Sequence, residues 1–247
     1  RWDDSDQRPI DSKSAFVRAS STFRDWVSPD SNEFPAEAGR YHLFTAPSCP
    51  WAHRTVIFRK LKGLEDIVSI SEADAPKSAG WSFTEGYDDM RPGTDGLFRL
   101  HQVYTAADPV FTGKVTVPVI WDRARKTIVN NESSEIIRML NASFQNIGAN
   151  EVDYYPSALR ADIDEANALV YDHVNNGVYR AGFAKTQSAY EEAVAKVFAG
   201  LDWMEARLAK QRYLAGDTIT EADWRAFPTL LRFDLVYYSH FKCNQRR

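Results

Sequence analysis

The amino-acid sequence predicts an α/β domain followed by an all-helical one. Three observations carry that prediction. A strand, a helix and a second strand follow one another between residues 40 and 71. Two more strands and a helix come between residues 115 and 140. Beyond about residue 150 the strand signals stop, and apolar residues recur at three- and four-residue spacing instead.

The elements justify this in order. Residues 1–39 are polar, with aromatics at Trp2, Phe16, Phe23, Trp26 and Phe34. They predict an extended arm anchored by those rings on the domain that follows. Arg40–Thr45 alternates and reads as a strand. After the short loop Ala46–Cys49, Pro50 opens a helix that runs to about Lys62 and stops at Gly63. Asp66–Ser71 is the second strand. Residues 72–112, rich in Gly, Pro and Asp, read as a long irregular insertion of the kind that is often functional. Val115–Trp121 and Lys126–Asn130 form two strands around an Asp-Arg-Ala-Arg turn, and Glu132–Leu140 follows as a helix. That order is the thioredoxin-like arrangement over residues 40–145. In the helical domain, residues 150–247, Pro156–Asn175 and Gln187–Lys210 are helices, and Thr220–Asp223 reads as a capping box before a third.

Bulk properties narrow the partners. The chain has 247 residues, 44% hydrophobic and 26% charged, which suits one large or two modest domains. A net charge of −4 argues against nucleic acid, whose phosphates need a basic face. No apolar run approaches the ~20 residues of a membrane span. There is no leader pattern, although the chain begins at Arg1 rather than Met. The polar stretch up to Arg247 does not resemble a natural terminus, which predicts a truncated helical domain. Two cysteines make no disulfide framework and point to a reducing, cytoplasmic setting. The five histidines show no ligand spacing, which predicts no metal, and no nucleotide motif is present.

Cys49 is the candidate nucleophile. It stands where a strand meets a helix, just before Pro50, so helix N–H groups and the helix dipole favour its thiolate. His53 and Arg54 add positive character in the first turn. Three residues on stands Ala52 rather than a second cysteine, so the site is a monothiol. Such a thiol forms a mixed disulfide with a small molecule, and a second small thiol resolves it. Glutathione is the obvious candidate. The competing reading is a buried structural thiol, and for Cys243 that plainer reading leads. The dipeptide Val117-Pro118 is anomalous inside an apolar strand unless its bond is cis, which leaves the Val117 backbone to pair with a peptide-like ligand. The alternative is an edge-strand start. At the opening of the next helix, the Ser133 hydroxyl and free N–H groups suit a carboxylate and Glu132 suits an ammonium, the two ends of a γ-glutamyl group. Both residues can also be helix caps alone.

Ser48–Thr55, Val115–Asp122 and Ile128–Ile137 resemble one known family, as do Val174–Ala184, Thr220–Arg225, Arg232–Tyr237 and His240–Asn244. The family is the glutathionyl-hydroquinone reductases, the Xi class of glutathione transferases. The resemblance implies glutathione transferase architecture, a homodimer, and a role in quinone metabolism and detoxification. It implies reduction of glutathionylated quinols through a Cys49–glutathione disulfide, with glutathione as co-substrate. It implies glutathione contacts at Trp81, Arg99, Val117, Glu132 and Ser133, where an arginine suits the glycyl carboxylate. For the quinol side it implies Tyr179 as a phenol assisting proton transfer, with Trp51 and Tyr237 as further lining and His240 as another aromatic candidate. A further pocket tyrosine of the family has no counterpart before Arg247.

Two other functions fit part of the pattern. An omega-like thiol transferase, acting on dehydroascorbate or protein–glutathione disulfides, would share Cys49, Val117-Pro118 and Glu132-Ser133. A non-catalytic carrier of aromatic ligands would keep the fold and need no thiolate.

Overall fold

The run Tyr41–Thr45 (β1) is buried at every position, as a strand covered on both faces should be. The computed structural model, which describes residues 9–12, 15–74, 80–84 and 97–245, places β1 inside a four-stranded sheet. The chain forms two compact units. One holds Ser21–Val152, the other Asp6–Ser20 with Asp153–Arg247.

In the first unit β1 is followed by α1 (Pro50–Leu61) and β2 (Ser69–Glu72). Next come the short pair β3 (Ser82–Phe83) and β4 (Phe98–Arg99), then α2 (Leu100–Ala107). The unit ends with β5 (Val119–Asp122), β6 (Thr127–Asn130) and α3 (Ser133–Ala142). The sheet order is β2-β1-β5-β6. β1 and β2 are parallel, which requires the α1 crossover, while β1 pairs antiparallel with β5 and β5 with β6. Pro50 starts α1 where its missing N–H costs nothing, and Gly63 ends it at φ +66°, a left-handed turn that a side chain would strain. The buried Asp122 carboxylate takes Arg40 at 2.6 Å and also accepts the Ala124 N–H at 2.8 Å, so one side chain fixes both β1 and the turn to β6.

Several boundaries differ from the sequence-based expectations. β2 starts at Ser69 because the Ile67 and Val68 N–H groups turn back to the Leu64 carbonyl. The strand expected from Val115 begins only at Val119, after a cis Val117-Pro118 bond. The insertion 72–112 is not irregular throughout. It contains β3, β4 and α2, and α2 buries Leu100, Val103 and Tyr104 in the same core as Phe44 and Trp121. Residues 75–79 and 85–96 of it lie outside the described residues.

The expected arm also divides. Its residues from Ser21 on belong to the first unit, where Phe23 packs on the core and Phe34 is buried, and Phe16 is buried in the second. Trp26 is 42% exposed rather than buried as an anchor. Trp2 lies outside the described residues.

The regular structure described for Asp153–Arg247 is helical. The expected helix over 156–175 is α4 (Arg160–Val170) followed by a π turn over Tyr171–Asn175, closed by a bond from the Asn176 N–H to the Tyr171 carbonyl at 2.9 Å. Then come α5 (Gly177–Phe183), α6 (Gln187–Leu208) and α7 (Glu221–Leu231), with a second π turn over Phe233–Tyr238. The capping box forms as read. The Thr220 hydroxyl accepts from Ala222, and Asp223 accepts from the Thr220 N–H at 2.9 Å. Gly200 lets α6 approach the π turn closely, since a Cβ there would lie 2.6 Å from that of His173.

Candidate active site

Cys49 is the N-cap of α1 and is half-buried. Its sulfur accepts the Ala52 N–H at 3.5 Å and lies 3.6 Å from the Val117 carbonyl, to which the thiol can donate. The N–H is one of the orphan donors of a helix start, and such donors favour an anion. Ala52, fully buried, sits where a dithiol enzyme would carry its second sulfur. Cys49, the first helical turn and the cis-proline loop therefore meet at one point.

The Val117 carbonyl faces the sulfur, and the Val117 N–H has no partner among the described residues. Two residues beyond β6, Glu132 caps α3. One of its oxygens accepts the Ser134 N–H at 3.1 Å and the Ser134 hydroxyl at 2.9 Å, and the other accepts the Ser21 hydroxyl at 2.9 Å. The Ser21 contact was not legible in the sequence, because it joins positions 111 residues apart. Ser133 is buried, and the Arg54 guanidinium donates to its hydroxyl at 3.4 Å. Arg54 is itself buried, with its guanidinium 4.7 Å from the Trp51 ring centre. It thus spans from the α1 turn that carries Cys49 to the start of α3, rather than only lending charge to the first turn.

Trp81 is half-buried against the same apolar cluster as Cys49, and its carbonyl accepts the Leu100 N–H at 3.0 Å. Arg99 is the N-cap of α2. Both therefore belong to the described part of the insertion, Trp81 beside β3 and Arg99 in β4.

Tyr179 lies on α5 of the helical unit, in a ring cluster with Phe183, Tyr237 and Phe241. The Arg18 guanidinium sits 4.7 Å from its ring centre. Tyr237 is 1% exposed, the placement of a core side chain, and its packing fills the interior of that unit. Cys243 is fully buried there. Burial pushes its thiol up to about 12, so it is protonated and unreactive at neutral pH.

Among the described residues no group of His, Cys, Asp and Glu is arranged to hold a metal, and no helix is long and apolar enough to cross a membrane.

A thioredoxin-like unit with a monothiol at a helix start, a cis proline facing it and a capped helix beside it, followed in sequence by an all-helical unit, is the architecture of a glutathione transferase. Residues 48–143 match the family model of the glutathione S-transferase N-terminal domain, and residues 187–246 match that of the C-terminal domain. The glutathionyl-hydroquinone reductase PcpF of Sphingobium chlorophenolicum is 51% identical over 247 residues, 100% of this chain and 78% of that protein. The glutathione-bound structure of YqjG from Escherichia coli K-12 is 49% identical, covers 92% of this chain and 76% of its own, and superposes with a TM-score of 0.84. The glutathione S-transferase Xi from Phanerochaete chrysosporium is 46% identical, with coverage of 94% and 80% and a TM-score of 0.85. The chain belongs to the glutathione transferases, within the Xi class of glutathionyl-hydroquinone reductases.

Proposed function

We propose that this enzyme reduces glutathionyl-hydroquinones to hydroquinones at the expense of glutathione. The Cys49 thiolate attacks the glutathionyl sulfur of the substrate. The bond between that sulfur and the quinol carbon breaks, the carbon takes up a proton, and the free hydroquinone leaves. A mixed disulfide between Cys49 and glutathione remains. A second glutathione thiolate attacks it, releases glutathione disulfide and restores the Cys49 thiolate. The substrate's thioether sulfur and one glutathione thiol are together oxidised to a disulfide while the carbon–sulfur bond is reduced to carbon–hydrogen, so electrons balance without a metal or nucleotide.

One observation carries the reading: a half-exposed thiol at a helix start, hydrogen-bonded by the Ala52 N–H, with alanine where a resolving cysteine would stand. The ligand roles follow from it. Val117 pairs with the peptide backbone of glutathione. Glu132 takes its ammonium, and Ser133 with the α3 N–H groups takes the γ-glutamyl carboxylate. Trp81 and Arg99 take the glycyl end, Arg99 by charge. Tyr179 supplies a phenol for the quinol oxygen and Trp51 an aromatic wall. Tyr237, 6.0 Å from Tyr179 between ring centres, is a further quinol-side aromatic. A homodimer in the reducing cytoplasm is the proposed working state. Glutathione is abundant in such a setting, and both cysteines are free thiols.

The test is turnover of glutathionyl-menadiol with excess glutathione. Wild type is expected to turn over and to show a glutathione adduct on Cys49 by mass. Cys49→Ser should lose turnover by about a thousandfold or more, as removal of a nucleophile does. An adduct without turnover would redirect the assignment to an omega-like thiol transferase. Absence of both would remove Cys49 as nucleophile.

A further inference from the structure

Tyr104, on α2, bonds to the residue before Val117 and to the residue before Glu132, the two segments assigned to glutathione. It is fully buried, its ring held by Phe23 at 5.7 Å and Phe111 at 4.9 Å between centres. Its hydroxyl donates to the Thr116 carbonyl at 2.9 Å, and it accepts the Asn131 amide at 3.0 Å and the Thr116 N–H at 3.3 Å. A phenol has one proton and two lone pairs, so this oxygen is fully used. Thr116 directly precedes Val117, and Asn131 directly precedes Glu132. The Asn131 side chain is bound at its other end as well, where its oxygen accepts the Phe23 N–H at 3.2 Å. Its backbone N–H donates to the Phe23 carbonyl at 3.1 Å. Two residues before Phe23, Ser21 holds the Glu132 carboxylate.

We propose that Tyr104 is a positioning residue for glutathione: one phenol sets the spacing between the Val117 backbone and the Glu132 carboxylate, and so the span of γ-glutamyl peptide the site accepts. The proposal rests on the assignment of Val117 and Glu132 as glutathione contacts. The insertion helix α2 then has a function beyond covering the sheet. It carries the strut that joins the cis-proline loop to the start of α3, with the segment Ser21–Phe23 as its second support. The two ligand segments are far apart in sequence, and among the described residues Tyr104 and Asn131 form a two-side-chain bridge between them. The Ala52 N–H that holds the Cys49 sulfur takes no part in the bridge, so loss of the hydroxyl leaves that donor in place.

Tyr104→Phe keeps the ring and removes only the oxygen. The KM for glutathione is expected to rise about tenfold, the equivalent of one well-placed hydrogen bond, while kcat at saturating glutathione stays within about twofold. Alkylation of Cys49 by iodoacetamide should proceed at the wild-type rate. A merely structural role would lower Tm and the active fraction, and with them kcat, while leaving KM alone; that result overturns the proposal. If Tyr104→Phe fails to fold, Asn131→Ala, which leaves the phenol bonded to Thr116, carries the same KM expectation. Glu132→Gln measured in parallel separates the two levels of inference. A raised KM in Glu132→Gln with none in Tyr104→Phe overturns the strut and keeps the site. Unchanged KM in both overturns the site assignment and the strut with it. A rise in Tyr104→Phe alone overturns the proposed spacing, because Glu132 would then not be a glutathione contact.

Discussion

Cys49 and Cys243 place the same side chain in two regions of one chain, and both sulfurs lie near backbone carbonyls. The Cys49 sulfur is 3.6 Å from Val117, and that of Cys243 is 3.9 Å from Val178 and 3.8 Å from Phe241. A carbonyl accepts the thiol proton and so favours the neutral form. What separates the two sites is the N–H of Ala52 and the helix start behind it, together with exposure. At Cys49 the anion has a donor and a solvent path. At Cys243 it has neither among the described residues, and burial holds the thiol protonated. The contrast predicts that reactivity follows from the donor near the sulfur, not from the presence of a cysteine or of a carbonyl partner.

Alkylation breaks or sharpens this contrast most directly. In the native protein at neutral pH, iodoacetamide should label Cys49 at least about a hundredfold faster than Cys243, with site-resolved mass spectrometry as readout. In denaturant the two rates should converge. Comparable rates in the native state would undo the comparison.

The contrast extends to helix caps. The Thr220–Asp223 box closes on itself, whereas Glu132 and Cys49 cap helices beside the proposed ligand. Thr220→Ala should cost about 1 kcal/mol in urea unfolding and leave the KM for glutathione at the wild-type value. A shifted KM would show that the two kinds of cap are not separable.

The smallest effect concerns alkaline stability. The Cys243 pKa is raised on folding from 9.0 to about 12, so above 9 the unfolded chain loses this proton while the folded chain keeps it. The stability this group contributes is complete below about 9 and declines as pH rises toward 12. Urea unfolding from pH about 8 to about 11 should show a falling limb that is shallower in Cys243→Ala. An unchanged slope would mean that other groups dominate the window.

Much of the fold was legible. Pro50 and Gly63 mark the ends of α1, the box at Thr220 marks α7, and the anomaly of a proline in an apolar run marks the cis bond at Val117-Pro118. The same proline misled about strand length, because pattern alone does not show that the ladder waits for Val119. Helix α2 was missed although Leu100, Val103 and Tyr104 have helical spacing. Eight residues set in a Gly- and Pro-rich stretch offer too short a periodic signal. The position of Cys49 at the start of α1 was legible because its cue is local, a thiol before a helix-opening proline. The Tyr104 bridge, the Ser21 contact with Glu132 and the Arg54 contact with Ser133 were not, since each joins residues from 12 to 111 positions apart.

The π turn at Tyr171–Asn175 has a consequence for how this chain tolerates change in length. It winds one extra residue into the turn that leads to α5, and one residue is about 100° of arc on an α-helix. Tyr179 meets Arg18, Phe183 and Phe241 in the phase set by that extra residue. Substitutions within the turn preserve the phase, but a one-residue deletion resets it and swings the whole of α5 out of register with its neighbours. The segment therefore counts residues: its length is under tighter constraint than most of its letters.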